Sequence, residues 1–172
     1  HNKFEFSSAE ENFIFYTIAD FNKRKNIEAF IKAFHIEFDP SEPVSILIKS
    51  NKYGLSADET AIKIKDMCNR VKVGLKKFKN INDYKEDLII TNFVSDEDVL
   101  RIHNSCDCFV MPSYGEAWCI PALESMAMGV PVIHTANTGM DDFCVGWKVP
   151  SSPAPCYMAT DSMDSVYTSL TR

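Results

Sequence analysis

The chain is poor in the residues that mark irregular architectures. Of 172 residues only 6 are glycine and 8 proline, too few for a collagenous repeat or a low-complexity linker. No apolar run approaches the ~20 residues that a membrane-spanning helix needs. Cations are in the minority, 18 Lys and Arg against 24 Asp and Glu, and that balance disfavours a general electrostatic grip on nucleic acid or an anionic membrane surface. An anionic ligand must therefore be held by local groups. Cys68, Cys106, Cys108, Cys119, Cys144 and Cys156 are scattered among apolar neighbours and lack the spacing of a four-ligand zinc site. They read as reduced thiols, mostly buried, of a cytosolic protein. What remains is ordinary globular composition, 45% hydrophobic, and length enough for one domain whose core needs neither disulfide nor metal. His1 in place of methionine reads as the front of a piece excised from a larger protein.

Phe13 to Ile18 is a β-branched and aromatic run, followed by Ile27, Phe30, Ile31, Phe34 and Phe38 at the spacing of one helix face. Val44 to Ile48 repeats the strand signal, and Ala61, Ile64, Cys68, Val71 and Leu75 repeat the helix signal. Leu88 to Ile90 leads to Ser95-Asp96-Glu97-Asp98, an N-cap with acid in the first turn, and to a helix carrying Val99, Ile102 and Cys106. Cys108 to Met111 is the next strand. A loop follows, then a helix with Pro121 near its start and Gly129 at its end, and then the strand Val130 to Ile133. Strands alternating with helices predict an α/β fold, a Rossmann-like parallel sheet with helices on both faces. From Pro150 the pattern fails, so 150–172 is expected as loop or weak helix and 1–172 as a single domain.

In an open parallel sheet, ligands bind beyond the carboxyl ends of the strands. Asn22-Lys23-Arg24-Lys25-Asn26 places three cations before the first helix, where they oppose the macrodipole unless an anion arrives. The loop from Pro112 to Pro121 carries Glu116 and Trp118, and Glu124 lies about one turn into the next helix, so both carboxylates are expected at the mouth of one crevice. Amides near Cys119, Ile120 and Ala122 are expected to be open to a phosphate. Asp96-Glu97-Asp98 is better explained by capping than by metal binding. His134 is read as structural, Phe30 and Phe34 as core, and Cys106 and Cys108 as core thiols. Trp118 either stacks on a ligand or plugs the loop against the sheet.

These residues carry a resemblance. Asn92 to Asp98, the strand ending Met111-Pro112-Ser113, Glu116-Ala117-Trp118-Cys119-Ile120-Pro121-Ala122-Leu123-Glu124, Gly129 to Ile133, and Arg24-Lys25-Asn26 with Phe30 and Ala33-Phe34 stand in the right order. Together they resemble the retaining GT-B glycosyltransferases of the group 1 kind, from about Phe13 to Val149. The resemblance covers one half of the GT-B fold, the C-terminal half that binds the nucleotide-sugar. The N-terminal acceptor-binding half is absent from this chain.

The resemblance implies transfer of a hexose from a nucleotide-diphospho-sugar to an acceptor, with retention and without metal or other cofactor. Lys25 and Arg24 would neutralise the departing diphosphate. Glu124 would accept from the ribose diol, and Glu116 would contact hydroxyls of the sugar. Glu116 and Lys25 are thus the catalytic candidates. Backbone of Ala117, Trp118, Cys119 and Ile120 would hold the phosphate or sugar, and backbone at Val94 would meet the base. The acceptor, a glycan or lipid, would sit on the missing half, which would also carry any membrane association of an otherwise cytoplasmic protein. No nucleic-acid partner is expected.

There are departures. Ala19-Asp20 stands where many relatives have Gly-Arg, and Cys119 where glycine is common, so that a side chain there would limit approach of the backbone to a ligand. Thr138 to Asp142 matches the family's Gly-Gly-x-x-Glu turn imperfectly. These departures suggest an alternative, a non-catalytic nucleotide or sugar-phosphate binding module. A dinucleotide oxidoreductase is set aside for want of G-x-G-x-x-G after the first strand.

Overall fold

The computed structural model describes residue 4 and residues 11–153. Of the tail expected over 150–172, residues 150–153 carry no regular structure and the rest lies outside the described residues. Six strands, β1 (Phe13–Asp20), β2 (Val44–Asn51), β3 (Asp87–Ile90), β4 (Cys108–Met111), β5 (Val132–Thr135) and β6 (Trp147–Val149), alternate with four helices, α1 (Ile27–Glu37), α2 (Ala57–Leu75), α3 (Asp96–Ser105) and α4 (Ile120–Ala127). The strands are all parallel, in the order β3-β2-β1-β4-β5-β6.

Alternation along the strands feeds two cores. On one face Ile46, Ile48, Cys108 and Val110 pack with Ile27, Phe30, Ile31 and Phe34 of α1 and Ile64, Cys68 and Val71 of α2. On the other, Ile14, Tyr16, Leu47, Phe109 and Met111 pack with Ile102 and Cys106 at α3 and Ala122 of α4. The sheet is thus covered on both faces, which is why its strands read as unbroken apolar runs.

Local chemistry sets the boundaries. Ser56 and Glu59 form a reciprocal capping box at α2, satisfying two amides that have no intrahelical partner. Ser95 Oγ accepts from the Asp98 amide at 3.1 Å, so Asp96-Glu97-Asp98 is the first turn of α3, as the capping reading required. Gly129, at φ +78, turns the chain out of α4. Several boundaries differ from expectation: β1 runs on to Asp20, β3 begins at Asp87, and Cys106 is the extended C-cap of α3 rather than part of it. Phe38 lies beyond α1 as its extended C-cap, and β2 continues to Asn51. The strand expected over Val130 to Ile133 is β5, Val132–Thr135, because Val130 and Pro131 belong to the connection before it. β6 escaped notice because it is three exposed residues with no periodicity to read.

Asp87, the first residue of β3, ties that edge strand down. Its Oδ1 meets His35 Nε2 of α1 at 2.7 Å and its Oδ2 meets Lys72 Nζ of α2 at 2.6 Å. Burial pushes the Asp87 carboxyl up, but the bonds from His35 and Lys72 outweigh it and hold the group below the usual carboxylate range.

β1 is the centre of the sheet. From it the chain runs outward through β2 and β3, then crosses to β4 on the other side, so the loops after β1 and β4 diverge at a topological switch point. β1 and β2 pair over their whole length, Phe13↔Val44 to Asp20↔Asn51. Across the seam to β4 only Phe15↔Cys108 and Tyr16↔Phe109 pair, so other contacts must close it.

Candidate functional site

Those contacts are the two loops that sequence reasoning singled out. After β1, Lys23–Lys25 forms a short 3-10 turn whose cap, Asn22, accepts through Oδ1 from the Lys25 amide at 3.1 Å. Asn26 follows at φ 53, a left-handed conformation that asparagine tolerates, and α1 starts directly behind it. Asn26 Nδ2 donates to the Pro112 carbonyl at 3.0 Å, and the Tyr114 amide donates to the Arg24 carbonyl at 2.8 Å. Arg24 Nη1 donates to the Gly115 carbonyl at 2.7 Å and to Glu116 Oε2 at 3.1 Å. Lys25 Nζ donates to the same Oε2 at 2.7 Å. The three charged side chains are 14%, 11% and 7% exposed for Arg24, Lys25 and Glu116.

Two cations and one carboxylate therefore meet at the switch point. The anion that the first-loop cations were expected to await is, within this chain, Glu116 itself. Lys25, Arg24 and Glu116 are brought together. Glu116 is turned under the cations at 7% exposure, while Glu124 on α4 is 36% exposed.

Gly139 holds the Glu116 loop from the other side. Its amide donates to the Glu116 carbonyl at 2.8 Å, and a Cβ there would stand 2.5 Å from the Ala117 carbonyl oxygen. Only glycine fits that approach. The turn Thr138 to Asp142, capped by Thr138, thus clamps the loop despite its imperfect match to the family pattern. Ala117 and Ile120 are exposed. Trp118 lays its ring 4.6 Å from that of Phe143 and leaves the rest in solvent, so it does not plug the loop into the sheet.

Cys119, the N-cap of α4, sits in the core, where burial pushes its thiol up to about 11. Its side chain therefore does not stand between backbone and cleft, which removes the steric objection raised by the missing glycine. The amides are fewer than expected. That of Ala122 donates to the Cys119 carbonyl at 3.0 Å and Pro121 has none, which leaves those of Cys119 and Ile120 without an acceptor among the described residues. Val94 lies half-buried on the loop after edge strand β3, with β2 and β1 between that strand and β4.

Sequence reasoning missed His103 on α3, which is fully buried and places Nε2 3.4 Å from Glu124 Oε2. Nothing in the sequence marks it beyond its place on the apolar side of α3. His134 is buried in β5 with Nδ1 3.1 Å from the Thr135 carbonyl, in keeping with a structural role. Five free cysteines are buried among the described residues; Cys156 lies outside them. Among the described residues no group of three or more His, Cys, Asp or Glu is placed to hold a metal ion, and no helix is long and apolar enough to cross a membrane. Two cavities of about 310 and 250 Å³ lie around Tyr84, Lys85 and Glu86, just before β3 and so at the opposite pole of the strands from the candidate site.

Residues 70–148 match the family model of glycosyl transferases group 1. The chain is 29% identical over 135 residues to the serotype-specific mannosyltransferase WbdA of Escherichia coli, covering 77% of this chain and 14% of that protein. It is 41% identical over 56 residues, 33% of this chain and 16% of the other, to uncharacterized glycosyltransferase 335 of Sulfolobus islandicus rod-shaped virus 1. Among solved structures, the C-terminal domain of the group 1 glycosyl transferase LpcC from Francisella tularensis superposes with TM-score 0.62 at 20% identity, over 81% of this chain and 68% of that one. Anabaena HepE in complex with UDP and glucose gives TM-score 0.62 at 15% identity, over 83% of this chain and 35% of that one. The chain thus spans a small part of its curated relatives, and its resemblance to the GT-B glycosyltransferases of group 1 holds in both sequence and fold.

Proposed function

We propose that this chain is the donor-binding half of a glycosyltransferase that moves a hexose from a nucleotide-diphospho-sugar to an acceptor, with retention and without a metal ion. The observation that carries the reading is the convergence of Arg24 and Lys25 on Glu116 at the switch point. A diphosphate arriving there exchanges for the carboxylate, since phosphate oxygens offer the two cations more charge than one carboxylate does. Arg24 and Lys25 then stabilise the negative charge that develops on the leaving group, the task a metal performs elsewhere. Glu116, released from them, accepts from hydroxyls of the sugar. The amides of Cys119 and Ile120 at the start of α4 face phosphate or sugar, Glu124 accepts from the ribose diol, and backbone near Val94 meets the base. HepE, a structural neighbour described in complex with UDP and glucose, supports a nucleotide-sugar ligand. The acceptor, a glycan or lipid, belongs to an N-terminal half, so this chain alone binds without transferring.

The alternative of a binding module without turnover draws on the same geometry, because Glu116 already pairs with both cations. Calorimetric titration with UDP, GDP and ADP and their sugar conjugates tests the main reading. One base is expected to be preferred without added magnesium. Lys25→Ala and Glu124→Ala should each weaken binding by roughly 1.5–3 kcal/mol, the loss of hydrogen bonds to a charged group. A requirement for magnesium, or unchanged affinity in both variants, overturns it. Donor hydrolysis by the full-length protein separates enzyme from module.

A further inference from the structure

Glu124 is backed by two buried groups that the proposed chemistry does not use. Tyr16 of β1 and His103 of α3 are both fully buried, and the tyrosine hydroxyl lies 2.6 Å from His103 Nδ1. The other ring nitrogen, Nε2, has no hydrogen-bond partner among the described residues and sits 3.4 Å from Glu124 Oε2, just beyond an ordinary N–H···O length. A buried polar atom without a partner calls for an explanation.

The protons can be placed. Burial holds His103 below the usual histidine range although Glu124 pulls it up, so the ring is neutral and has one N–H to give. If that N–H were at Nδ1, the Nε2 lone pair would confront the Glu124 carboxylate in a dry site. With Tyr16 donating to Nδ1, the N–H stands at Nε2 and faces the carboxylate.

We propose that Tyr16 and His103 are positioning residues: the tyrosine fixes the Nε2–H tautomer of His103, and that N–H orients the Glu124 carboxylate toward a ribose diol. The second clause rests on the donor-site reading above; the first does not.

Nitrogen-15 NMR of the histidine rings tests the tautomer on the chain without ligand. His103 is expected as Nε2–H, shifting toward a tautomer mixture in Tyr16→Phe; an Nδ1–H ring in the wild type overturns the proposal. For positioning, UDP, GDP and ADP are each compared with their 2′-deoxy counterparts. Wild type should favour the ribose form by roughly tenfold or more, the size expected for hydrogen bonds to a charged acceptor. Tyr16→Phe and His103→Leu should shrink that preference at least threefold, and His103→Gln should restore it. Full ribose preference in Tyr16→Phe and His103→Leu, with the preference lost in Glu124→Gln, overturns the positioning role. A ribose preference that survives in Glu124→Gln overturns the diol role of Glu124 instead, and with it the second clause.

Discussion

Glu116 pairs with two cations through a single oxygen, Oε2, so removing its charge takes an ion-pair partner from both Arg24 and Lys25 in a largely buried site. Glu116→Gln is expected to destabilise the fold by about 2–3 kcal/mol, somewhat below the cost of breaking a fully buried pair because the cations keep slight access to solvent. The loss should be partly repaired by pyrophosphate, which supplies the missing anion. A thermal melt reads both effects. A pyrophosphate-induced rise in Tm no larger in Glu116→Gln than in wild type would show that the cations do not form an anion site. Arg24 and Lys25 stood out in the sequence because cations before a helix are costly there, and Glu116 because of its place in the motif of the loop after β4. Their pairing with one another did not, since it joins positions 91 and 92 apart and no local rule reaches that far.

At the scale of elements, β3 is four residues long and sits at the sheet edge, held to α1 and α2 by Asp87 through His35 and Lys72. Asp87→Asn strips that anchor and is expected to cost about 3 kcal/mol at neutral pH, the low end for breaking a buried ion pair. The Asp87 carboxyl is depressed in the folded state, so its contribution is present above the unfolded carboxylate pKa of about 4 and fades as pH falls through the lower folded value. Urea denaturation should find wild type and Asp87→Asn converging in strongly acid solution; a gap independent of pH would contradict the assignment. The helices and every strand but β6 were legible from period and caps, Ser95 and Gly129 among them. The anchor was not, because Asp87, His35 and Lys72 each read as ordinary polar punctuation until three elements bring them together.

For the molecule as a whole, burial raises the five described thiols together. Cys108 and Cys119 are pushed up to about 11 and Cys68 to about 12, while Cys106 and Cys144 are also raised. A group raised on folding stabilises fully below its unfolded pKa and loses that contribution as pH climbs toward the folded value. Above the free-cysteine pKa of about 8.5, each such thiol should therefore lower stability by up to about 1.4 kcal/mol per pH unit. Unfolding midpoints measured from pH 7 to 10 check this. A flat profile would mean that the thiols ionise as readily folded as unfolded. The parallel sheet as a whole was legible from alternating elements; its strand order, and hence the place of the switch point, emerged only from the structure.

The narrow seam between β1 and β4, two paired positions closed by the loops above them, also sets an order in time. Contacts within β1, α1 and β2 are near in sequence and form early, whereas the Lys25–Glu116 contact spans 91 positions and belongs to the slow, non-local part of the search. Competence to bind therefore arrives with the final closure. A ligand of that seam finds nothing to hold before closure, so it leaves the folding rate unchanged and acts by slowing the reopening.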